Sequence, residues 1–495
     1  MKSLAALVAP LAVLAIAQAA AAQTPTPAPT PAPRVAVTQH VGHFNGQTVN
    51  YTATVAETFL HDAKGAPTAS VVTIAYVRDG VADPSKRPVL FCFNGGPGAS
   101  SSPTHTQALG PMLRNEGDLA SSAMTGFHEN QHSPLDAVDL VFIDPVGTGF
   151  SRPLPGVDAK AYYSVTGDAL EVKGIIADWL KEHHREASSR YMLGESYGTN
   201  RAAAIVKNGK DLRFDGVLLV ALAANIPGRE MPYVASLPTM AAGAWYHQKI
   251  DRKGRSVEQV FNEALNFART DYVTALIKGS SLPAAEKHRI AVRMASLIGL
   301  PVALIEKDDL RISKNEYMFN LLKDKGLRTG LLDVTVTGPL VAGADGGIDD
   351  PALGVQPKGP PGAPPLTPDK IGAVPSPAVG AYITKDLKFP DTDPYIGVNF
   401  TVNIHWNYES RSNDFEALAA AMRADPKMRL FWAGGYYDLT TPAYGAHYTL
   451  DQVGVPPAQL DANYFPGPHG VYAGEANLKR FDEAVRTFVL GGGKP

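Results

Sequence analysis

The stretch Arg190-Tyr191-Met192-Leu193-Gly194-Glu195-Ser196-Tyr197-Gly198 constrains the fold more than any other. It reads as a short apolar strand that ends in Gly-x-Ser-x-Gly and runs into a helix begun by Thr199-Asn200-Arg201-Ala202-Ala203. A serine at such a strand-to-helix turn is lifted out of the ladder, with its hydroxyl exposed at the sheet's carboxyl edge. Glycines flank it because backbone crowding at the turn leaves no room for a β-carbon. A sheet with strand-to-helix connections is therefore the first expectation.

The rest of the chain fits that sheet. From Val35 to about Arg78 apolar and polar residues alternate, as in Thr48 to Val55 and Ala69 to Val77. Period two predicts half-buried antiparallel strands, with turns at Asn45-Gly46 and Lys64-Gly65. After Asp79-Gly80 the pattern becomes short continuous apolar runs: Val89 to Phe93, Val138 to Ile143, Arg190 to Leu193, Gly216 to Leu222 and Arg429 to Ala433. Such runs suit strands buried on both faces, as in a parallel sheet covered by helices such as Gly167 to His184. The expected class is α/β: a mostly parallel central sheet with antiparallel strands at its start. Its core is formed by residues 35–225 and 426–495.

Residues 226–425 interrupt the rhythm. Helical signals at Ser256 to Lys278, Pro283 to Ile298 and Lys314 to Lys325 give way to a Gly- and Pro-loaded, irregular excursion over 343–377. We read the whole as a cap inserted over the sheet's carboxyl edge; a separate second domain is the other way to parse it.

The amino terminus is of another kind. Lys2, an apolar run from Leu4 to Ala17 and the small residues Ala20-Ala21-Ala22 predict a signal peptide over 1–22, cleaved before Gln23. The run is short for a membrane anchor. Residues 23–34 alternate Pro with Thr and Ala, the composition of an extended spacer. The single cysteine, Cys92, permits no internal disulfide, which for an exported chain points to a bacterial periplasm or secretion from a bacterium. Its apolar neighbours mark it as a buried small hydrophobe. A net charge of −3 gives no electrostatic case for nucleic acid, and no later run is long enough to hold the mature chain in a bilayer.

A nucleophilic serine needs a base, and the base needs an acid to orient it. In sheets of this type the order along the chain is serine, acid, histidine. Asp438, in a glycine-bearing loop just past Leu430-Phe431-Trp432-Ala433, is the candidate acid. His469, in Pro466-Gly467-Pro468-His469-Gly470 ahead of the carboxyl-terminal helix Glu475 to Leu490, is the candidate base. An oxyanion requires donors, and the backbone N–H of Tyr197 is one. The other comes from Asn94-Gly95-Gly96-Pro97-Gly98, where glycines let the backbone approach a substrate.

Asn94 to Gly98 with Ser100-Ser101, Asp144-Pro145-Val146-Gly147-Thr148-Gly149-Phe150-Ser151, Gly194 to Gly198, and the Asp438 and His469 loops together resemble the serine carboxypeptidase family. The resemblance runs in order from about Val71 to the carboxyl terminus and weakens across 226–425. It implies an α/β-hydrolase fold and removal of carboxyl-terminal residues from peptides. Ser196, Asp438 and His469 would be the triad, and the N–H groups of Gly96 and Tyr197 the oxyanion hole. Asn94 and Glu195 would bind the substrate's terminal carboxylate. No cofactor is implied. Glu195 can serve an anion only when protonated, which predicts activity favoured at mildly acid pH. Three positions depart from the pattern: Cys92 stands where a tryptophan is usual, Ala99 replaces a cysteine, and Ala108 stands in place of a second glutamate before Leu109-Gly110-Pro111.

The same machinery could serve an esterase or acyltransferase, and a non-catalytic binding protein could keep the scaffold. His128-Glu129-Asn130-Gln131-His132 matches the zinc-protease pattern His-Glu-x-x-His, but that chemistry needs both histidines on one helix face. Gly126 and Ser133-Pro134 argue against a helix there.

Overall fold

The computed structural model describes residues 32–115, 126–341, 349–355, 366–409 and 414–491. The expected signal peptide 1–22, all of the spacer before residue 32, and residues 343–348 and 356–365 of the expected excursion lie outside these.

The central sheet follows the apolar runs. Its strands are β1 Val35–Phe44, β2 Gln47–His61, β3 Pro67–Arg78, β4 Val89–Phe93, β5 Asp139–Asp144, β6 Arg190–Glu195, β7 Gly216–Val220, β8 Arg429–Gly435 and β9 Leu460–Phe465. Across the sheet they lie in the order β1-β2-β3-β5-β4-β6-β7-β8-β9, with the short strand Arg152–Pro153 beside β3. β1, β2 and β3 pair antiparallel, as does β3 with β5. From β5 to β9 every pairing is parallel. The turn at Asn45-Gly46 joins β1 to β2, both residues having positive φ.

Because alternate side chains leave a strand on opposite faces, the parallel strands feed two cores. Val89, Phe91, Phe93, Val217, Leu219 and Trp432 enter one, Leu90, Cys92, Leu218, Val220 and Phe431 the other. Cys92 is fully buried. The first core is closed by helix α1 (Val165–Glu182) through Val172, Ile176 and Trp179, and by α2 (Tyr197–Asn208) through Ala202 to Ile205. The second is closed by the carboxyl-terminal helix Glu475–Val489 through Phe481, Val485 and Phe488. α1 begins two residues before the expected Gly167, because the Ser164 hydroxyl caps it by accepting the Gly167 N–H at 3.1 Å.

Between β7 and β8 the expected helical stretches form at Val257–Phe267, Ala284–Ile298 and Lys314–Asn320. Ser256 with Gln259 and Ser313 with Glu316 make reciprocal capping boxes at two of their starts. One helix there carries no sequence signal, Met231–Tyr246, buried along most of its length and containing Pro238. Within 343–377 the described part is more regular than expected: Ala373–Pro375 pairs antiparallel with Ile396–Asn399. The His-Glu-x-x-His segment opens as a strand, Phe127–Glu129, not a helix. Its two histidines have different partners, His128 with Asn115 and His132 with Glu475. Among the described residues, no helix is long and apolar enough to cross a membrane.

Candidate active site

Ser196 stands between β6 and α2 with φ 58° and ψ −127°, a conformation that costs a residue with a β-carbon on the order of 1–3 kcal/mol. Packing holds it there. A β-carbon on Gly194 would lie 2.1 Å from the Gly198 carbonyl oxygen, and one on Gly198 would lie 3.0 Å from the Asn94 carbonyl oxygen. The Ser196 N–H donates to Val220 O of β7 at 2.9 Å, fastening the turn to the next strand.

Asp438 and His469 follow β8 and β9, the two strands beyond β7. The Asp438 carboxylate is fully buried and accepts the His469 Nδ1–H at 2.8 Å. It also accepts the Thr441 N–H at 2.9 Å and the Thr441 hydroxyl. Burial pushes the Asp438 carboxyl up, but His469 and Thr441 outweigh it and hold the group below its ordinary range. Burial pulls the His469 imidazole down, and the Asp438 charge outweighs that, leaving it raised. With Nδ1 committed to Asp438, Nε2 is the nitrogen left to exchange a proton.

A strap from the stretch between β7 and β8 holds both loops. His469 N–H donates to Leu332 O at 2.9 Å, and the N–H groups of Leu439 and Thr440 donate to Leu331 O at 2.8 and 3.0 Å. The Leu332 N–H in turn donates to the Asp350 carboxylate at 2.7 Å.

The Asn94 to Gly98 loop leaves β4 and lies against the start of α2. Gly96 has φ +98° and Gly98 φ +94°, conformations open to glycine. A β-carbon on Gly95 would meet Tyr197 N at 2.3 Å. The peptide planes of this loop and of the first turn of α2 are thus in direct contact, next to Ser196.

Glu195 is buried, and that burial raises its carboxyl above the ordinary range. Its side chain hydrogen-bonds Asn94 and accepts the Tyr472 hydroxyl at 2.8 Å. Glu195, His469 and Tyr472 line a cavity of about 600 Å³, whose walls include Leu332, Val336 and Arg114. Ala108 packs with its methyl in the second core, and its carbonyl accepts the Asn130 side chain at 2.6 Å, so this position offers the cavity no carboxyl.

Sequence reasoning misses Tyr472, Thr441 and the Leu331-Leu332 strap. Tyr472 is three residues past His469, yet only the fold turns its hydroxyl onto Glu195. Thr441 is Asp438's third neighbour downstream, a spacing at which a hydroxyl can return to an aspartate, and is the one that was open to reading.

A mixed sheet with parallel strands β5 to β9, a serine at the β6–α2 turn and an Asp–His couple after the last two strands is the α/β-hydrolase fold. Residues 76–211 match the family model described as serine carboxypeptidase. The chain is 34% identical over 118 residues to "Serine carboxypeptidase-like 34" of Arabidopsis thaliana, covering 23% of this chain and 22% of that protein. It is 28% identical over 136 residues to "Serine carboxypeptidase-like 8" of the same plant, covering 25% and 28%. The matched region thus spans about a quarter of the length of these curated relatives. Among solved structures, the chain is similar to a prohormone-processing carboxypeptidase of Saccharomyces cerevisiae, Kex1(delta)p. The TM-score is 0.51 and the identity 14%, over 92% of this chain and 90% of that one.

Proposed function

We propose that this protein is a serine peptidase that releases carboxyl-terminal residues from peptides. The observation that carries the reading is that Ser196, held in a positive-φ turn at the end of β6, and the hydrogen-bonded Asp438–His469 couple, which follows β8 and β9, stand at the carboxyl ends of parallel strands of one sheet. Ser196 Oγ attacks the scissile carbonyl carbon while His469 Nε2 takes its proton. The N–H groups of Gly96 and Tyr197 receive the oxyanion. As the C–N bond breaks, His469 returns the proton to the leaving amine, and water then repeats the cycle on the acyl-enzyme. Asn94 and a protonated Glu195 bind the terminal carboxylate of the leaving residue, and burial of Glu195 supports that protonation. Residues 226–425 act as a cap, and the Leu331-Leu332 strap supports that assignment.

Unblocked peptides incubated with the enzyme and read by mass spectrometry should give ladders shortened from the carboxyl end. Ser196→Ala, and peptides with an amidated carboxyl end, should give none. A second reading, esterase or acyltransferase, is favoured by Ala108, which stands where the family resemblance implies a second glutamate; turnover of esters without ladders would select it. We further propose export through residues 1–22, which predicts a mature protein whose Edman sequence begins at Gln23.

A further inference from the structure

The chemistry above leaves the most deeply buried cation near the site unused. Arg201 lies one turn after Tyr197 in α2 and is 1% exposed. Its Nε and Nη2 donate to the two carboxylate oxygens of Asp168, in α1, at 2.8 and 2.9 Å. Its Nη1 donates to the backbone carbonyl of Asn94. The guanidinium carbon stands 5.3 Å from the ring centre of Phe93 and 5.5 Å from that of Tyr197. A second acid in this nest, Glu171, accepts the Val146 N–H at 2.8 Å and is pushed up to about 8 by burial and by Asp168.

A buried guanidinium is costly unless all its arms are paired, and here two go to one acid and the third to a peptide carbonyl. That carbonyl belongs to the peptide plane joining Asn94 to Gly95, and the next plane carries the Gly96 N–H. Two successive glycines leave these planes little intrinsic stiffness. Phe93 and Tyr197, both against the guanidinium, begin the two segments that supply the oxyanion donors.

We propose that Arg201, oriented by Asp168, is a positioning residue that pins the Asn94 carbonyl and so fixes the Gly96 N–H relative to the Tyr197 N–H. The inference rests on the serine-hydrolase reading. The brace acts on the transition state rather than on substrate binding, so its loss lowers kcat and leaves KM nearly constant.

The test compares Arg201→Lys, Asp168→Asn and the apolar pair Arg201→Met/Asp168→Leu with the wild type. The probes are p-nitrophenyl acetate, an N-acyl dipeptide, and a boronic acid whose adduct oxygen occupies the oxyanion site. We expect kcat to fall about 10- to 100-fold with KM within about 3-fold, and boronate affinity to weaken by a similar factor. The apolar pair distinguishes a brace from a structural role, because apolar replacement of a buried ion pair often preserves stability. With Tm at the wild-type value, kcat should remain low. Wild-type kcat in that folded pair, or a rise in KM at constant kcat in the single variants, overturns the inference. If Arg201→Lys does not purify folded, the apolar pair decides. A wild-type protein inert to both substrates, and unlabelled at Ser196 by a fluorophosphonate, overturns the hydrolase reading and this inference with it.

Discussion

Gly95→Ala is the smallest change that tests whether the Asn94 to Gly98 loop takes part in turnover. The added methyl carbon would stand 2.3 Å from Tyr197 N, 2.6 Å from Gly198 N and 2.7 Å from Glu195 O, all backbone atoms. An ordinary contact begins near 3.4 Å, so the loop must retreat from α2 by about 1.1 Å, the difference between 3.4 and 2.3 Å. A displacement of this size takes the Gly96 N–H out of hydrogen-bond range of an oxyanion held by Tyr197. Loss of one such donor costs about 3 kcal/mol of transition-state stabilisation, or about a hundredfold in kcat. Overpacking also destabilises the fold by roughly 1–3 kcal/mol. Kinetics on an N-acyl dipeptide, with Tm measured alongside, separate the two effects. A control of the same chemistry is Gly174→Ala in α1, where a β-carbon meets no atom within 4 Å. It should raise stability by up to about 1 kcal/mol and leave kcat alone. If Gly95→Ala keeps kcat within about 3-fold of wild type while Gly174→Ala behaves as stated, the loop does not supply the donor.

Glu195 can donate to a substrate carboxylate only below its raised pKa, so KM for peptides with a free carboxyl end should climb as pH rises through it. The groups facing it are His469, Asp438, Tyr472 and Asn94. Tyr472→Phe removes a hydrogen bond that favours the charged form, and should move the midpoint of that climb upward. KM for esters should show no such climb, and an unmoved midpoint would refute the role given to Tyr472. At the acid end, kcat should fall as pH drops through the raised pKa of His469, which must be neutral to act as a base. Glu171 affects stability instead. Its carboxyl is raised from 4.5 to about 8, so it favours the folded state below pH 4.5 and loses that effect as pH rises through about 8. Between these limits wild-type stability should decline by on the order of 4 kcal/mol relative to Glu171→Gln. Urea unfolding at pH 5, 7 and 9 reads the difference.

How much of this was legible in the residues follows from what each signal depends on. The strands Val89–Phe93 and Gly216–Val220 are legible because burial on both faces writes an unbroken apolar run. The loops of Ser196, Asp438 and His469 are legible because each follows such a strand or a glycine-rich turn. The helix Met231–Tyr246 is not, because a helix buried all round has no 3.6-residue alternation, and Pro232 and Pro238 read as breakers. Arg201 is silent for another reason. Its partners Asp168 and Asn94 lie 33 and 107 residues away, and only the packing of α1, α2 and β4 makes them neighbours.

The strap at Leu331-Leu332 bears on how this chain can be altered. The same two residues accept N–H groups from the Asp438 and His469 loops, and the Leu332 N–H ends on Asp350. The loops that carry acid and base are therefore clamped not by the sheet alone but by a segment more than ninety residues upstream of both. The stretch 226–425 is thus tied to the site by its backbone and is not a detachable module. Excising it to obtain a minimal catalyst would strand the Leu439, Thr440 and His469 N–H groups without acceptors. Any recombinant chimera that swaps this stretch has to carry the strap, and an Asp350 equivalent, across with it.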